Sequence, residues 1–192
     1  MTFQKIMLLA VMAMATAAFA APAAQADAPE WHHGEDTIIE EDLHITGYLS
    51  STTNGAFISG PCEVTFEGVA KNENGMAAGT ITGGAMQSTC GTSVATCNVT
   101  PTPEGFPWNL TGATLTEQPG VEIGHIKMTM HYEGTNCPVP RPTLTATGYA
   151  TGIVDGGGCL SFEDHQDGMH LAIAPVVLDL RGTICDTTLT LG

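Results

Sequence analysis

Basic residues are scarce in this chain: five Lys and Arg stand against twenty Asp and Glu, for a formal net charge of −15 over 192 residues. A field of that sign repels phosphate backbones, so no nucleic acid partner is expected, and anionic membrane surfaces are disfavoured. Beyond the first twenty residues no apolar run is long enough to span a bilayer, and no transmembrane segment is expected. No Cys-x-x-Cys pair occurs among the six cysteines, which argues against a zinc or thioredoxin-like site. Gly-x-Ser-x-Gly is missing and no His stands in a nucleophile's setting, so no catalytic residues, no cofactor and no enzyme activity are expected. Aromatic residues are also few. Trp31, Trp108 and the three tyrosines are scattered, unlike the platforms of carbohydrate binders.

What is present begins with a secretory pattern. Lys5 precedes an apolar run from Ile6 to Ala15, and Ala18-Phe19-Ala20 and Ala24-Gln25-Ala26 each place small residues where a signal peptidase inspects them. Residues 1–26 therefore read as a signal peptide cleaved after Ala20 or Ala26, and the mature chain as secreted, extracellular or periplasmic. Residues 27–42 carry Asp27, Glu30, Glu35, Asp36, Glu40, Glu41 and Asp42, a density of like charge that resists compaction. A flexible acidic segment is expected there, followed by a single β domain over 43–192.

Cys62, Cys90, Cys97, Cys137, Cys159 and Cys185 all follow the leader. An even, scattered set in an oxidising compartment reads as three disulfides, and the 15 pairings that six cysteines allow stay open. Locally, Cys90 and Cys97 flank a small-residue hairpin tip and could close a short loop.

Gly and Pro recur too often for helices, and the segments between them alternate. In Cys62-Glu63-Val64-Thr65-Phe66-Glu67, cysteine and the apolar residues face one side while Glu and Thr face the other, as in a half-buried strand. Along 121–131 the apolar side changes at Gly124, which predicts a bend. Further strands are expected at 43–49, 76–86, 110–116, 144–154, 158–163, 169–174 and 176–185, with a hairpin turn at Asp167-Gly168. The fold class is all-β: an antiparallel β-sandwich or barrel of about 8 to 10 short strands, stabilised by disulfides. Thr46-Gly47-Tyr48 and Thr147-Gly148-Tyr149 echo each other, at spacings that do not match as a duplication would.

Two groups contain metal-ligand residue types: Glu30, His32, His33, Glu35 and Asp36, then Glu163, Asp164, His165, Asp167 and His170. The first falls in the acidic segment and the second on a hairpin tip without the spacing of an EF-hand loop. Both are expected to be solvated side chains, with His165, Asp167 and His170 the metal candidates.

One set of motifs does stand out. Cys62-Glu63-Val64-Thr65-Phe66-Glu67-Gly68, then Ile81-Thr82-Gly83-Gly84, then Cys90, then Gly105-Phe106-Pro107-Trp108, in this order, resemble the bacterial secreted family called protein activator of alkane oxidation (PraB). The likeness covers the middle of the mature chain and continues more loosely to Cys137, Cys159 and Gly182-Thr183-Ile184-Cys185. It implies a small extracellular β protein without catalysis, associated with alkane growth, emulsifying behaviour and biofilm matrix. Its partners would be an apolar interface or matrix components, and self-association is allowed. Phe106 and Trp108, beside Pro101 and Pro103, form either a contact patch or a lid on the core. The alternatives are a fibre or adhesin subunit, or a small extracellular metal-binding protein or hydrolase.

Overall fold

Period-two alternation dominates this chain, and the computed structural model obeys it. Residues 29–51, 61–87, 89–92, 94–115, 118–137, 142–155, 157–162, 169–173 and 176–192 are described. They form β1 (Trp31–His33), β2 (Asp36–Thr37), β3 (Glu40–Ser51), β4 (Cys62–Asn72), β5 (Ala77–Met86), β6 (Cys90–Gly91) and β7 (Cys97–Glu104). Then follow β8 (Trp108–Leu115), β9 (Gln118–Gly134), β10 (Thr143–Val154), β11 (Leu160–Phe162), β12 (Met169–Ile173), β13 (Val176–Asp186) and β14 (Thr190–Leu191). Among the described residues there is no helix, and hence none long and apolar enough to cross a membrane.

Eight strands close a ring. β3, β4, β5, β8, β9, β10, β12 and β13 pair antiparallel in turn, and β9 meets β10 to complete the circuit. The expected sandwich or barrel is thus a barrel, and closure satisfies the backbone groups that an open sheet would leave at its edges. β11 lies end to end with β12 between β10 and β13. β7 lies end to end with β8 along β9, which pairs with β8 over 118–124 and with β7 over 127–134.

Inward-facing residues fill the ring. Trp108, Phe162, Leu43, Ile45, Leu49, Ile81, Leu110, Ile126, Met128 and Met130 are each less than 2 % exposed. Each such aliphatic or Phe side chain stabilises the fold by roughly 1.5 to 3 kcal/mol relative to its exposed state. Tyr132 is also inside, its hydroxyl donating to Met130 Sδ at 3.6 Å, and burial pushes its phenol well above the ordinary range.

The bend expected at Gly124 is a β-bulge. Ile123 pairs with Ala150 and Ile126 with Gly148, so Gly124 and His125 together stand opposite Tyr149. The extra residue moves the buried side from Val121 and Ile123 to Ile126, Met128 and Met130, and His125 takes a φ of 61° to make the turn.

The acidic segment requires a correction. From Pro29 onward it is built into the fold: β1 pairs with β2 and β14, and β3 starts at Glu40 rather than Leu43. Trp31 is 2 % exposed and donates its indole N–H to the Ala78 carbonyl at 3.1 Å. Asn72 ties the segment down, accepting from Trp31 N and donating to the carbonyls of Trp31 and Ile38. Glu35, Asp36, Glu40 and Asp42 are exposed and Glu30 and Glu41 half-buried, so one buried Trp and a set of backbone bonds outweigh their mutual repulsion.

Three disulfides join Cys62 to Cys90, Cys97 to Cys137 and Cys159 to Cys185, with no free cysteine. The expected short loop between Cys90 and Cys97 is not closed by a bridge. β6 and β7 do form a hairpin there, pairing Cys90 with Val99, but each sulfur reaches a different part of the barrel. Three bridges fit an extracellular or periplasmic compartment.

Candidate functional site

The motifs that stand out in sequence meet in one place. Ile81 pairs with Trp108, Phe66 pairs with Gly84, and Cys62 is bonded to Cys90. The Phe66 and Trp108 ring centroids lie 5.4 Å apart, and Phe106 stacks on Trp108 at 4.6 Å. Trp108 donates its indole N–H to the Glu104 carbonyl at 2.9 Å and is 1 % exposed. The contact-patch reading of Phe106 and Trp108 is therefore corrected: Trp108 is core, and half-buried Phe106 lies over it as a lid. An aromatic pair in a short connection packs down here because β8 begins at Trp108 and points it inward. Gly84 is small because Phe66 occupies the space where its Cβ would stand.

Two irregularities flank this cluster. Across from Glu67 and Gly68 of β4, β5 inserts Thr82, and on the other side of β8 lies the bulge at Gly124 and His125. Both fall at the level where β8 gives way to β7, so the strands splay around the exchange of neighbours.

Outside the barrel, β7, β9 and β10 present three matched rows. Thr100, His131 and Thr143 form the first, Thr102, Thr129 and Thr145 the second, and Glu104, Lys127 and Thr147 the third. Thr129 Oγ1 lies 3.3 Å from Thr145 Oγ1, His131 Nδ1 lies 3.1 Å from Thr143 Oγ1, and Lys127 Nζ lies 3.1 Å from Glu104 Oε2. Below the third row, the bulge opens a groove of about 670 Å³ lined by Glu122, His125, Ile126, Lys127, Thr147 and Tyr149 among others. Tyr149 is 46 % exposed. Asn109 Nδ2 steadies the rim, 3.2 Å from His125 Nδ1. Gly105, at φ 70°, lets the Lys127 stem pass within 3.3 Å of where a Cβ would be. A second groove of about 610 Å³ contains Tyr48 and Arg181. The two Thr-Gly-Tyr echoes thus each place an exposed tyrosine at a groove.

The first ligand group, around His32 and His33, is not assembled as a metal site. Among the described residues no three His, Cys, Asp or Glu side chains come together to hold an ion. His33 pairs with Glu41 at 3.0 Å, and His32 Nδ1 lies 3.5 Å from Thr37 Oγ1. Glu163, Asp164, His165 and Asp167, with the turn at Asp167-Gly168, lie outside the described residues. His170 occupies a register position in β12 opposite Tyr149 and Asp179.

The outer rows were not anticipated, although Thr143-x-Thr145-x-Thr147-x-Tyr149 is a visible period-two signal. Their lateral partners are legible only once β9 is set between β7 and β10. The chain matches no family model, no curated protein and no solved structure.

Proposed function

We propose that the protein is a non-enzymatic module of the cell surface or extracellular matrix, as its resemblance to the alkane-oxidation activators implies. The observation carrying this reading is that the resembling motifs form one contiguous unit: the Phe66, Trp108 and Phe106 stack, Gly84 beneath Phe66, and the Cys62–Cys90 bridge. Motifs that converge on packing explain a shared fold, and they leave the outer surface as the part that does the work. The filled interior supports the same reading, since Trp108, Phe162, Ile126 and Met128 are each less than 2 % exposed inside the ring. The alternative of a fibre subunit built by edge pairing is less well supported. The ring is closed, the stretch of β7 beyond its pairs with β6 carries Pro101 and Pro103, and β2 is two residues long.

Expressing the full chain with its own leader and fractionating the culture tests the reading. The protein is expected in the matrix or envelope fraction, shortened by the leader, with its six cysteines unreactive until reduced. Recovery in the cytoplasm with reactive thiols would contradict it, as would turnover of ester, glycan or peptide substrates by the purified protein.

A further inference from the structure

We infer that the outer face of β7, β9 and β10, together with the groove at its end, is a docking surface for an uncharged linear polysaccharide. The inference rests on the matrix reading above and names the partner. Its first support is the chemistry of the rows. Five of the six side chains in the first two rows are threonines and the sixth is His131, so the face presents hydroxyls and an imidazole at a strand spacing of about 4.8 Å. A hydroxyl has one donor and two acceptor positions, so Thr129, Thr143 and Thr145 keep capacity for a ligand, while the two ring nitrogens of His131 are taken up by Thr143 and Glu133.

Charge supplies the second support. In a chain of net charge −15, the three rows hold one acid and one base, Glu104 and Lys127, neutralised against each other at 3.1 Å. Glu122 in the groove and Glu133 beside His131 add negative charge at the two ends. An anionic polymer would meet repulsion from those ends and from the chain as a whole, whereas a neutral polyol meets none. An alkane would have to desolvate two rows of hydroxyls without replacing their hydrogen bonds.

The third support is shape. The groove of about 670 Å³ is shallow and open, and it shares Lys127 and Thr147 with the third row. An extended occupant can enter the groove and continue along the strands. Tyr149, nearly half exposed at the junction, offers a single ring face for stacking against a sugar ring, in place of the multi-aromatic platform this chain lacks. The bulge makes the junction: by placing two β9 residues opposite Tyr149, it splays the sheet at that point.

Calorimetric titration of the mature protein with cellohexaose and with dextran, beside oligogalacturonate and a hexadecane emulsion, tests the inference. Binding of at least one neutral glucan is expected, with none of the anionic oligomer and no preference for hexadecane. Tyr149→Ala should weaken it by about tenfold or more. Thr145→Glu should abolish it, Thr145→Val should weaken it, and Tyr48→Ala in the second groove should leave it unchanged, with melting curves confirming that each is folded. Failure of both neutral glucans to bind overturns the inference, as does a preference for oligogalacturonate or hexadecane, or full binding by folded Tyr149→Ala and Thr145→Val. An exported matrix protein that binds no glucan would sink this inference alone. A glucan-binding protein retained in the cytoplasm would sink the matrix reading and keep the site.

Discussion

Trp108→Ala is expected to destabilise the barrel by about 3 to 5 kcal/mol, the range for emptying a large buried aromatic site. Trp108 is 1 % exposed, packs between Phe66 and Phe106, and holds the Glu104 carbonyl through its indole. Removing it leaves a cavity at the level where β8 replaces β7, and an orphaned carbonyl beside it. For a domain of this size the melting temperature should fall by about 6 to 20 °C. Phe106→Ser should cost less, about 1 to 2 kcal/mol, because that ring is half-buried. Thermal melts of the two variants decide between lid and patch. A Trp108→Ala protein as stable as the parent would place the ring outside the core and reopen the contact-patch reading.

Loss of the bridge between Cys97 and Cys137 is the second large effect. The two residues are 40 apart in sequence, and Cys97 is 1 % exposed at the start of β7. β7 pairs along its length with β9, and β6 adds two pairs near its start. The bridge fixes β7 against the far end of β9, and a loop of this length is stabilised by about 4 kcal/mol in the chain-entropy account. Cys97→Ser with Cys137→Ser should lower stability in urea by about 2 to 5 kcal/mol, with a slope that rises because the uncrosslinked chain exposes more surface on unfolding. An unchanged midpoint would show that β7 is held by its pairing alone.

β4 was legible because a single face of Cys62, Val64 and Phe66 is buried against one core, so local alternation and tertiary burial agree. The bend in β9 was legible for the same reason, since a change of apolar side within a strand demands an extra residue. β7 was not. Pro101 and Pro103 read as breakers, and a strand tolerates them only where one edge is free, a fact about neighbours and not about the segment. β1, β2 and β14 are too short to show a period, and the acids around Trp31 hide the one side chain that anchors them. Disulfide partners depend on which strands the closed ring brings together, so Cys90 and Cys97, adjacent in a hairpin, still pair elsewhere. For the candidate site, the Phe106 and Trp108 motif drew attention because it is unusual in sequence, and it is unusual because it packs. The threonine rows are ordinary in each strand and become a surface only through the register of β7 and β10 on β9.

A chemical-shift map of the isotope-labelled protein during titration with cellohexaose tests most directly the claim that the outer face works and the motif cluster supports it. Perturbations are expected at Thr102, Thr129, Thr145 and Tyr149 and along the bulge at Gly124 and His125, with the Trp108 indole unmoved. Perturbations centred on Phe106 and Trp108, or none on β7, β9 and β10, would contradict it.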